Sequence, residues 1–253
     1  MKTITLLSSE DAVSEVVGFV TILGILVISI GVIGLAGYPL VMKAQETNYI
    51  ENTKQSFIVL AENMNKVVLG QSPSQSVELK LYGGTLSVKG SSTINITANS
   101  TNKTTGNINR IVLVSDKAMR SIESTIGNTT IAYEGTGVWA KYPNGNTLLV
   151  SKPLITNRSN VLVIPVVYVS GTSSVGGSGM SRITADGVPG VTFYNNVSDI
   201  TVIITGDYIL GWKDYFDKIM NWQYTIGNNL TARLNTANID IYVLNIQLNT
   251  RII

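Results

Sequence analysis

The hydrophobic pattern of the chain begins with one long apolar segment. Val16–Met42 contains no charged residue, and an α-helix of that length spans roughly 40 Å, against about 30 Å for the hydrocarbon core of a bilayer. A secretory signal peptide has a shorter apolar region, of about 7–15 residues, followed by a cleavage site. The segment therefore predicts a helix that spans a membrane or forms a filament core. Pro39 is expected to kink or loosen this helix near its outer end.

A helical pattern of a different kind follows directly. Apolar residues recur at spacings of three, four and seven, with polar side chains between them, at Ile50, Phe57, Leu60, Met64 and Val67. This spacing indicates an amphipathic helix, and Gly70 and Pro73 are typical of positions just beyond a helix end. We therefore predict one N-terminal helix over residues 13–70, first hydrophobic and then amphipathic. Its amphipathic half is expected to lie with the apolar stripe on a β-sheet.

After Pro73 the pattern changes to short β-branched segments divided by Gly, Asn, Asp and Ser. Such segments predict an all-β, sandwich-like C-terminal domain over residues 74–253. Gly83-Gly84 lies between two of them, Val77–Tyr82 and Thr85–Lys89, and predicts a two-residue hairpin turn. Further strands are predicted at Ser92–Ala98, Asn109–Ser115, Thr129–Glu134, Gly137–Tyr142 and Thr147–Ser151.

The second half of this domain begins with an almost unbroken apolar run, Val161–Ser170. It predicts a central strand, although Pro165 inside it implies a bulge or a sheet edge. Ser170–Gly190 is rich in Gly and Ser and predicts a surface loop. Three further elements are predicted: a strand Val191–Tyr208 broken at Asn195-Asn196, a short helix Trp212–Met220, and a final strand Ile239–Ile253 whose apolar face switches near Val243-Leu244.

Composition narrows the chemistry available to the chain. Only 13% of residues are charged, against about 25% in soluble domains, which favours a membrane or a packed assembly. Cys and His are absent, which excludes thiol nucleophiles, disulfides, zinc sites built on these residues and histidine bases. The formal net charge of +2 predicts no basic surface for nucleic acid. We expect a protein that is not an enzyme and holds no cofactor or metal.

Two segments nevertheless resemble sites of known chemistry. Gly176–Met180 resembles a nucleophile elbow, but it lacks the last glycine of that motif and the chain has no histidine base. Four acids fall close together, at Asp199, Asp207, Asp214 and Asp217. Their oxygens could bind Ca²⁺, but the spacing is not that of an EF-hand. A flexible surface segment and solvated surface charge are the favoured interpretations.

The distribution of glycosylation triplets indicates which side of the membrane the domain occupies. Lys and Arg are nearly balanced on the two sides of the apolar segment, so they do not decide its orientation. The Asn-x-Ser/Thr triplets all follow the segment, at Asn95, Asn99, Asn102, Asn128, Asn157, Asn196 and Asn229. Together they favour an internal N-terminus and an exported C-terminal domain that carries N-linked glycans on surface loops.

The start of the chain resembles a known family. Asp11–Gly18 (DAVSEVVG), followed at once by the apolar helix, resembles the start of archaeal type IV pilins and archaellins, the class III signal peptide family. Three later stretches are similar to a group of archaeal pilin-like surface proteins: Gln45–Pro73, Thr129–Trp139 (TTIAYEGTGVW) and Trp212–Phe216 (WKDYF).

This resemblance implies a processing step. A leader, Met1–Ala12, would be cut between Ala12 and Val13 by a membrane prepilin peptidase. Glu15 would then stand at the third mature position, near the acidic residue that aids subunit docking in many pilins. Alternatively, Glu15 is an ordinary acid in the first turn of a helix, where it complements the helix dipole.

Three functional hypotheses follow. The first is a structural subunit of a pilus-like extracellular filament, held in the membrane before pilus machinery assembles it and used in adhesion or cell–cell contact. Self-association of the apolar helices would remove them from water. The second is a bitopic membrane-anchored surface protein, such as an envelope component or a minor pilin, that does not polymerise alone.

The third hypothesis is an anchored carbohydrate-binding module, in which Trp139, Trp212 and Trp222 would form a stacking face. For these aromatics a place in the core is the favoured interpretation.

Overall fold

The N-terminal part of the protein is helical. The structure, a computed structural model, describes residues 9–101, 107–219 and 222–253, and the chain divides into two compact units at residues 48 and 49. Helix α1 (Ser9–Val32) leads through a π-helical turn (Ile33–Gly37) into α2 (Tyr38–Val68). Met1–Ser8, most of the expected leader, lies outside the described residues.

The predicted loosening near Pro39 takes the form of the π-helical turn. Ile33–Gly37 lies directly before Tyr38 and Pro39. A proline has no backbone N–H, and its ring clashes with the carbonyl four residues earlier, here that of Leu35. The wider π-helical turn relieves such crowding without ending the helix.

The part of α2 in the second unit packs on the β-sheet, as its amphipathic pattern predicts. Phe57, Leu60, Met64 and Val67 are fully buried in one hydrophobic core together with strand residues. Beyond the helix end Gly70 has a φ of +69°, a conformation that glycine adopts without steric cost.

The described residues after Gly70 form fourteen strands and one short helix, α3 (Ile209–Asp217). The strands are β1 (Ser74–Lys89), β2 (Thr93–Thr101), β3 (Ile108–Ala118), β4 (Ser121–Ile126), β5 (Thr129–Glu134), β6 (Gly137–Lys141), β7 (Thr147–Ser151), β8 (Thr156–Arg158), β9 (Val161–Ser170), β10 (Ser174–Asp186), β11 (Gly190–Thr205), β12 (Trp222–Ile226), β13 (Leu230–Leu234) and β14 (Ile239–Ile252).

These strands form one sheet that encloses two hydrophobic cores. Its main path runs β12-β13-β11-β14-β10-β1-β4-β5-β6-β7, with β2 and β3 joined to β11, and β9 and β8 joined to β14. One core, the α3 core, contains α3 together with β2, β11 and β13. The other, the α2 core, contains α2 together with β1, β4 and β10. The fold is therefore a long N-terminal helix followed by an all-β, sandwich-like domain.

Strand β14 contributes to both cores. Ile241 and Val243 lie in the α3 core, whereas Ile246 and Leu248 lie in the α2 core. Because neighbouring strand residues face opposite sides, buried positions shift from odd to even numbers between Val243 and Ile246. The predicted switch of the apolar face is confirmed.

The hairpin predicted at Gly83-Gly84 is wrong. Ser74–Lys89 is one strand, which pairs with β10 on both sides of a register shift at this position. Gly83 has a φ of +79°, and a Cβ on Gly84 would lie 2.2 Å from the carbonyl oxygen of Thr125. The glycines thus form a bulge that lets β4 approach the second half of β1.

The loop predicted at Ser170–Gly190 is also wrong over most of its length. Ser174–Asp186 is strand β10, which lies between β1 and β14. Sheet pairing explains the difference: β1 pairs along nearly the whole of β10, and β14 pairs with its last residues, Ile183–Asp186, although the composition of the segment is typical of a loop. The nucleophile-like segment Gly176–Met180 is part of this strand.

The other elements predicted from Val161 onward are present with small changes in their bounds. β9 has the predicted bounds, and beyond Val163 it pairs only with β14 among the described strands, so Pro165 lies at a sheet edge. β11 continues through Asn195-Asn196 with a register shift and a φ of +54° at Asn196. The short helix is present as α3, three residues earlier than predicted.

Candidate functional site

The first candidate site is the surface of the apolar helix. Its large side chains are exposed, with Phe19 and Ile28 at 67% and Leu35 at 83%. Within the described part of the chain, one helix is long and apolar enough to cross a membrane. A monomer in water does not tolerate an exposed apolar surface of this extent, so the helix needs a bilayer or other apolar partners.

The residues of the expected processing site lie at the start of this helix. Ala12 and Val13 are part of α1, and Glu15 is exposed one residue before the apolar segment. Cleavage between Ala12 and Val13 and docking through Glu15 remain predictions.

The second unit contains a buried carboxylate at the end of β5. Glu134 is 1% exposed. The hydroxyl of Ser92 donates to its Oε2, and the indole Nε1 of Trp212 donates to its Oε1 at 3.1 Å. The indole Nε1 of Trp139 donates to the backbone carbonyl of Glu134, also at 3.1 Å. These bonds supply partners for an acid that would be costly to bury alone.

Two glycines allow the indoles to approach this acid. The ring centroids of Trp139 and Trp212 are 4.8 Å apart. A Cβ on Gly135 would lie 2.6 Å from Cζ2 of Trp212, and a Cβ on Gly211 would lie 2.6 Å from Cε3 of Trp139. The stretches Thr129–Trp139 and Trp212–Phe216, distant in sequence, therefore meet in one tightly packed cluster.

Burial sets the protonation of Glu134. Loss of solvent raises the pKa of its carboxyl to about 7, the hydrogen bonds from Ser92 and Trp212 oppose the rise, and the charges of Glu123 and Asp207 add to it. A carboxyl in such surroundings binds a proton more strongly than one in water.

A polar cleft opens beside this cluster. It has a volume of about 590 Å³ and lies where the end of β1, the β4–β5 turn, the turn after β6 and the segment before α3 meet. We call it the polar cleft. Its lining includes Lys89, Glu123, Thr125, Lys141, Asp207 and Tyr208.

Two ion pairs and a tyrosine organise the polar cleft. Glu123, only 4% exposed, lies with its Oε2 3.1 Å from the Nζ of Lys89 and accepts a 2.7 Å hydrogen bond on Oε1 from the hydroxyl of Ser121. Burial, followed by the negative charge of Glu123, raises the pKa of the Tyr208 phenol. Nearby, Nζ of Lys141 lies 2.7 Å from Oδ1 of Asp207.

Comparison with known proteins places the chain in a family. Residues 12–247 match the profile of a family of unknown function, DUF7289. The chain belongs to this family. Two uncharacterized proteins of Archaeoglobus fulgidus are similar to it. One is 24% identical over 212 residues, which cover 68% of this chain and 70% of its own. The other is 23% identical over 227 residues, which cover 84% of each chain. No solved structure matches the chain.

The described glycosylation triplets of this DUF7289 member fall into two groups. Asn128, Asn157 and Asn229 are exposed. Asn95, Asn99 and Asn196 are half-buried; the amide of Asn95 donates to Asp116 and that of Asn99 to Asp199. Asn102 lies outside the described residues.

The aromatic stacking face is not formed by the tryptophans. Trp139, Trp212 and Trp222 are 0%, 2% and 8% exposed, which confirms the favoured core interpretation. A sugar would need an exposed ring face, and these residues present none.

The four acids are dispersed. Asp207 pairs with Lys141, and Asp214 lies 3.7 Å from Lys213. Asp199 and Asp217 accept hydrogen bonds from Asn99 and Tyr224. In the described ranges no three His, Cys, Asp or Glu side chains are grouped to hold a metal ion.

The polar cleft is not predicted by the sequence. Its charged residues come from segments far apart in the chain, Lys89, Glu123, Lys141 and Asp207, and sheet order alone brings them together. One local signal was present, because Glu123 interrupts a short β-branched strand whose residues are nearly all buried. A carboxylate at such a position is expected to have a dedicated partner.

Proposed function

We propose that this protein is the structural subunit of a type IV pilus-like filament on the archaeal cell surface, used in adhesion or cell–cell contact. The observation that carries the proposal is the exposed apolar surface of Val16–Met42, which requires an apolar environment. Before assembly a bilayer supplies that environment, and in the filament neighbouring copies of the same helix supply it.

The energy available from such bundling is large. Burying one large aliphatic or aromatic side chain contributes about 1.5–3 kcal/mol, and the apolar segment exposes many of them, including Phe19, Leu26 and Ile30. A contact between different faces of the helix, repeated from copy to copy by a rotation and a rise, builds an open helical polymer. Lipid tails are as apolar as these side chains, so this energy does not drive association inside the bilayer. Once the subunits have left it, where the alternative is exposure to water, the energy stabilises the filament core.

The start of the chain supports the same proposal. Asp11–Gly18 resembles the start of archaeal pilins, in which the leader is cut just before the apolar run, here between Ala12 and Val13. Prepilin peptidase would remove the leader, and Glu15 of one subunit would then dock against the next. The β-domain would form the outer surface, with glycans at exposed triplets.

An anchored surface protein is the second candidate. The same helix is long and apolar enough to cross a bilayer as a permanent anchor. The two functions differ in whether the chain leaves the membrane.

Release of the protein from cells by shearing separates the two, and charged substitutions test whether that release depends on the apolar segment. Ile28→Glu places a carboxylate within the apolar segment, where Ile28 is 67% exposed, and Val59→Glu places one at a 49% exposed site in the amphipathic part of α2. The filament proposal predicts that wild-type protein and Val59→Glu are released from cells by shearing as sedimenting polymers. Ile28→Glu should release none. If all of the wild-type protein stays in the membrane and is recovered only by detergent extraction, the filament proposal is contradicted and the membrane anchor is favoured.

A further inference from the structure

The lining of the polar cleft contains no residue of the apolar segment that would build a filament, and it pairs each of two carboxylates with a lysine. We propose that it binds a neutral carbohydrate through Glu123, Asp207 and the lysines paired with them. This inference goes beyond a structural role, because it assigns a recognition site to the β-domain.

The size of the cleft suits a small ligand. Its volume of about 590 Å³ lies within the range of about 300–1,000 Å³ typical of small-molecule sites. The cleft lies at the ends of paired strands, which position side chains more precisely than free loops do. Lys89 ends β1, Glu123 lies within β4 and Lys141 ends β6.

The charge balance of the cleft favours a ligand without net charge. Lys89 and Lys141 each pair with a carboxylate, Glu123 and Asp207 respectively. Because the charges cancel in pairs, neither an anion nor a cation is drawn to the cleft by a net field. This arrangement differs from that of a phosphate or amine site, where one sign of charge dominates.

The hydrogen-bonding groups suit sugar hydroxyls. A carboxylate is a pure acceptor with room for several bonds, and an ammonium is a pure donor. A hydroxyl donates and accepts at once, so it can bridge the two members of an ion pair. Thr125 and Thr130 add two further half-buried hydroxyls to the lining, which hydrogen-bond to each other at 3.2 Å.

The burial of Glu123 distinguishes its ion pair from an ordinary ion pair on the surface. The Glu123 carboxylate is 4% exposed and is held by a hydrogen bond from Ser121 and an ion pair with Lys89. By contrast, Glu78 and Arg182 form an ion pair with both side chains more than half exposed. Burying a charge costs free energy, and a carboxylate already held in place loses less freedom when a ligand binds.

Apolar surface and one glycosylation triplet complete the lining. Tyr142 and Pro143 contribute to the cleft, and aromatic side chains commonly pack against the C–H faces of sugar rings. Asn128, the exposed head of a triplet, lies in the lining as well. The bound sugar therefore has two possible sources, a glycan of another molecule or a glycan of this protein itself.

Binding can be measured on the full chain, made in a host without N-glycosylation and held in a detergent without a sugar headgroup. Saturation-transfer NMR would use the methyl glycosides of glucose, mannose, galactose and N-acetylglucosamine, with maltose and chitobiose. Inorganic phosphate and sialyllactose serve as charged probes. We expect at least one neutral sugar to bind with a Kd of about 1 mM.

Variants connect that binding to the cleft. Glu123→Gln and Asp207→Asn should each weaken it by about tenfold or more, whereas Glu78→Gln, the same change in an ion pair outside the cleft, should leave it unchanged. Near-UV circular dichroism checks folding. If Glu123→Gln does not fold, Asp207→Asn decides, because the Asp207 side chain is 59% exposed.

Natively glycosylated protein distinguishes the two sources of sugar. Occupation of the cleft by the protein's own glycan would block added sugars, and Asn128→Gln would restore their binding. The proposal is overturned if no neutral sugar gives a signal with unglycosylated protein, if both cleft variants bind as wild type does, or if only a charged probe binds.

Discussion

The indole Nε1 of Trp212 donates a 3.1 Å hydrogen bond to Oε1 of Glu134, although 78 residues separate the two in the chain. Both side chains are almost fully buried, at 2% and 1% exposure. Because Ser92 contributes the other side-chain bond to this carboxylate, three segments converge on one acid. The stability of the β-domain is therefore expected to depend on this contact.

Removing the indole donor of Trp212 should lower the free energy of unfolding. Trp212→Phe keeps an aromatic ring but leaves Glu134 without one partner, and an unsatisfied buried group costs about 1–3 kcal/mol in unfolding free energy. Denaturant unfolding of the full chain in detergent, followed by near-UV circular dichroism, measures the loss. Tyr224→Phe is the control, since it removes a 3.1 Å bond to Asp217 at an exposed site. Equal losses in both variants would contradict the role given to Trp212.

Glu134 should also give the domain a distinctive pH dependence. Burial raises the pKa of this carboxyl from its ordinary 4.5 to about 7. Between these values the folded protein holds a proton that the unfolded chain releases. The contribution of Glu134 to the free energy of unfolding therefore falls as the pH rises through that window, and is constant below and above it. At about 1.36 kcal/mol per pKa unit, the fall is about 3 kcal/mol.

Glu134→Gln isolates this contribution, because the amide does not titrate. The unfolding free energy of wild type minus that of the variant should decrease from about pH 4.5 to about pH 7. Glu78→Gln, at an exposed ion pair, serves as the matched control. A difference that stays constant or increases with pH would show that Glu134 is ionised in the folded protein throughout.

The close approach of the indoles predicts a steric effect at Gly135. Gly135 and Gly145 both have positive φ, at +56° and +80°, but only a Cβ on Gly135 would collide, at 2.6 Å from Trp212. Gly145→Ala should therefore cost about 1 kcal/mol from backbone strain alone. Gly135→Ala should cost about 1–3 kcal/mol more from overpacking. Thermal unfolding of the two variants compares them directly, and similar melting temperatures would contradict the packing described for Trp212.

The sequence predicted those elements whose local pattern and environment agree. β5 and β9 have the predicted bounds because their β-branched residues are buried on the sheet. β10 was not predicted because its Gly and Ser residues are typical of a loop, and its long pairing with the distant strand β1 makes it a strand. Gly83-Gly84 has the local signature of a hairpin, but β4 comes so close to Gly84 that the glycines serve a bulge instead.

The two candidate sites also differ in whether the sequence predicts them. The apolar helix was predictable, because its signal is a run of consecutive residues within Val16–Met42. The polar cleft was not, since Lys89, Glu123 and Asp207 meet only through the order of strands in the sheet. Long-range pairing of this kind leaves no periodicity in the sequence.

Among the described triplets, we expect glycosylation to be more complete where the asparagine side chain is exposed than where it is half-buried and hydrogen-bonded. Asn128, Asn157 and Asn229 are exposed, whereas attachment to the amide of Asn95 or Asn99 would disrupt its hydrogen bond to an aspartate. Mass spectrometry of peptides from native protein, before and after chemical removal of glycans, is expected to find the first three positions modified more fully. Modification restricted to Asn95 and Asn99 would contradict this expectation.

We propose that the chain is cut before Val13 and then polymerises through its apolar helix. The most direct measurement is the intact mass and N-terminal sequence of the protein sheared from cells, with electron microscopy of the same fraction. We predict filaments whose subunits begin at Val13, with the apolar helices bundled at the core. Protein that begins at Met1 and is recovered only from detergent-extracted membranes would contradict the claim.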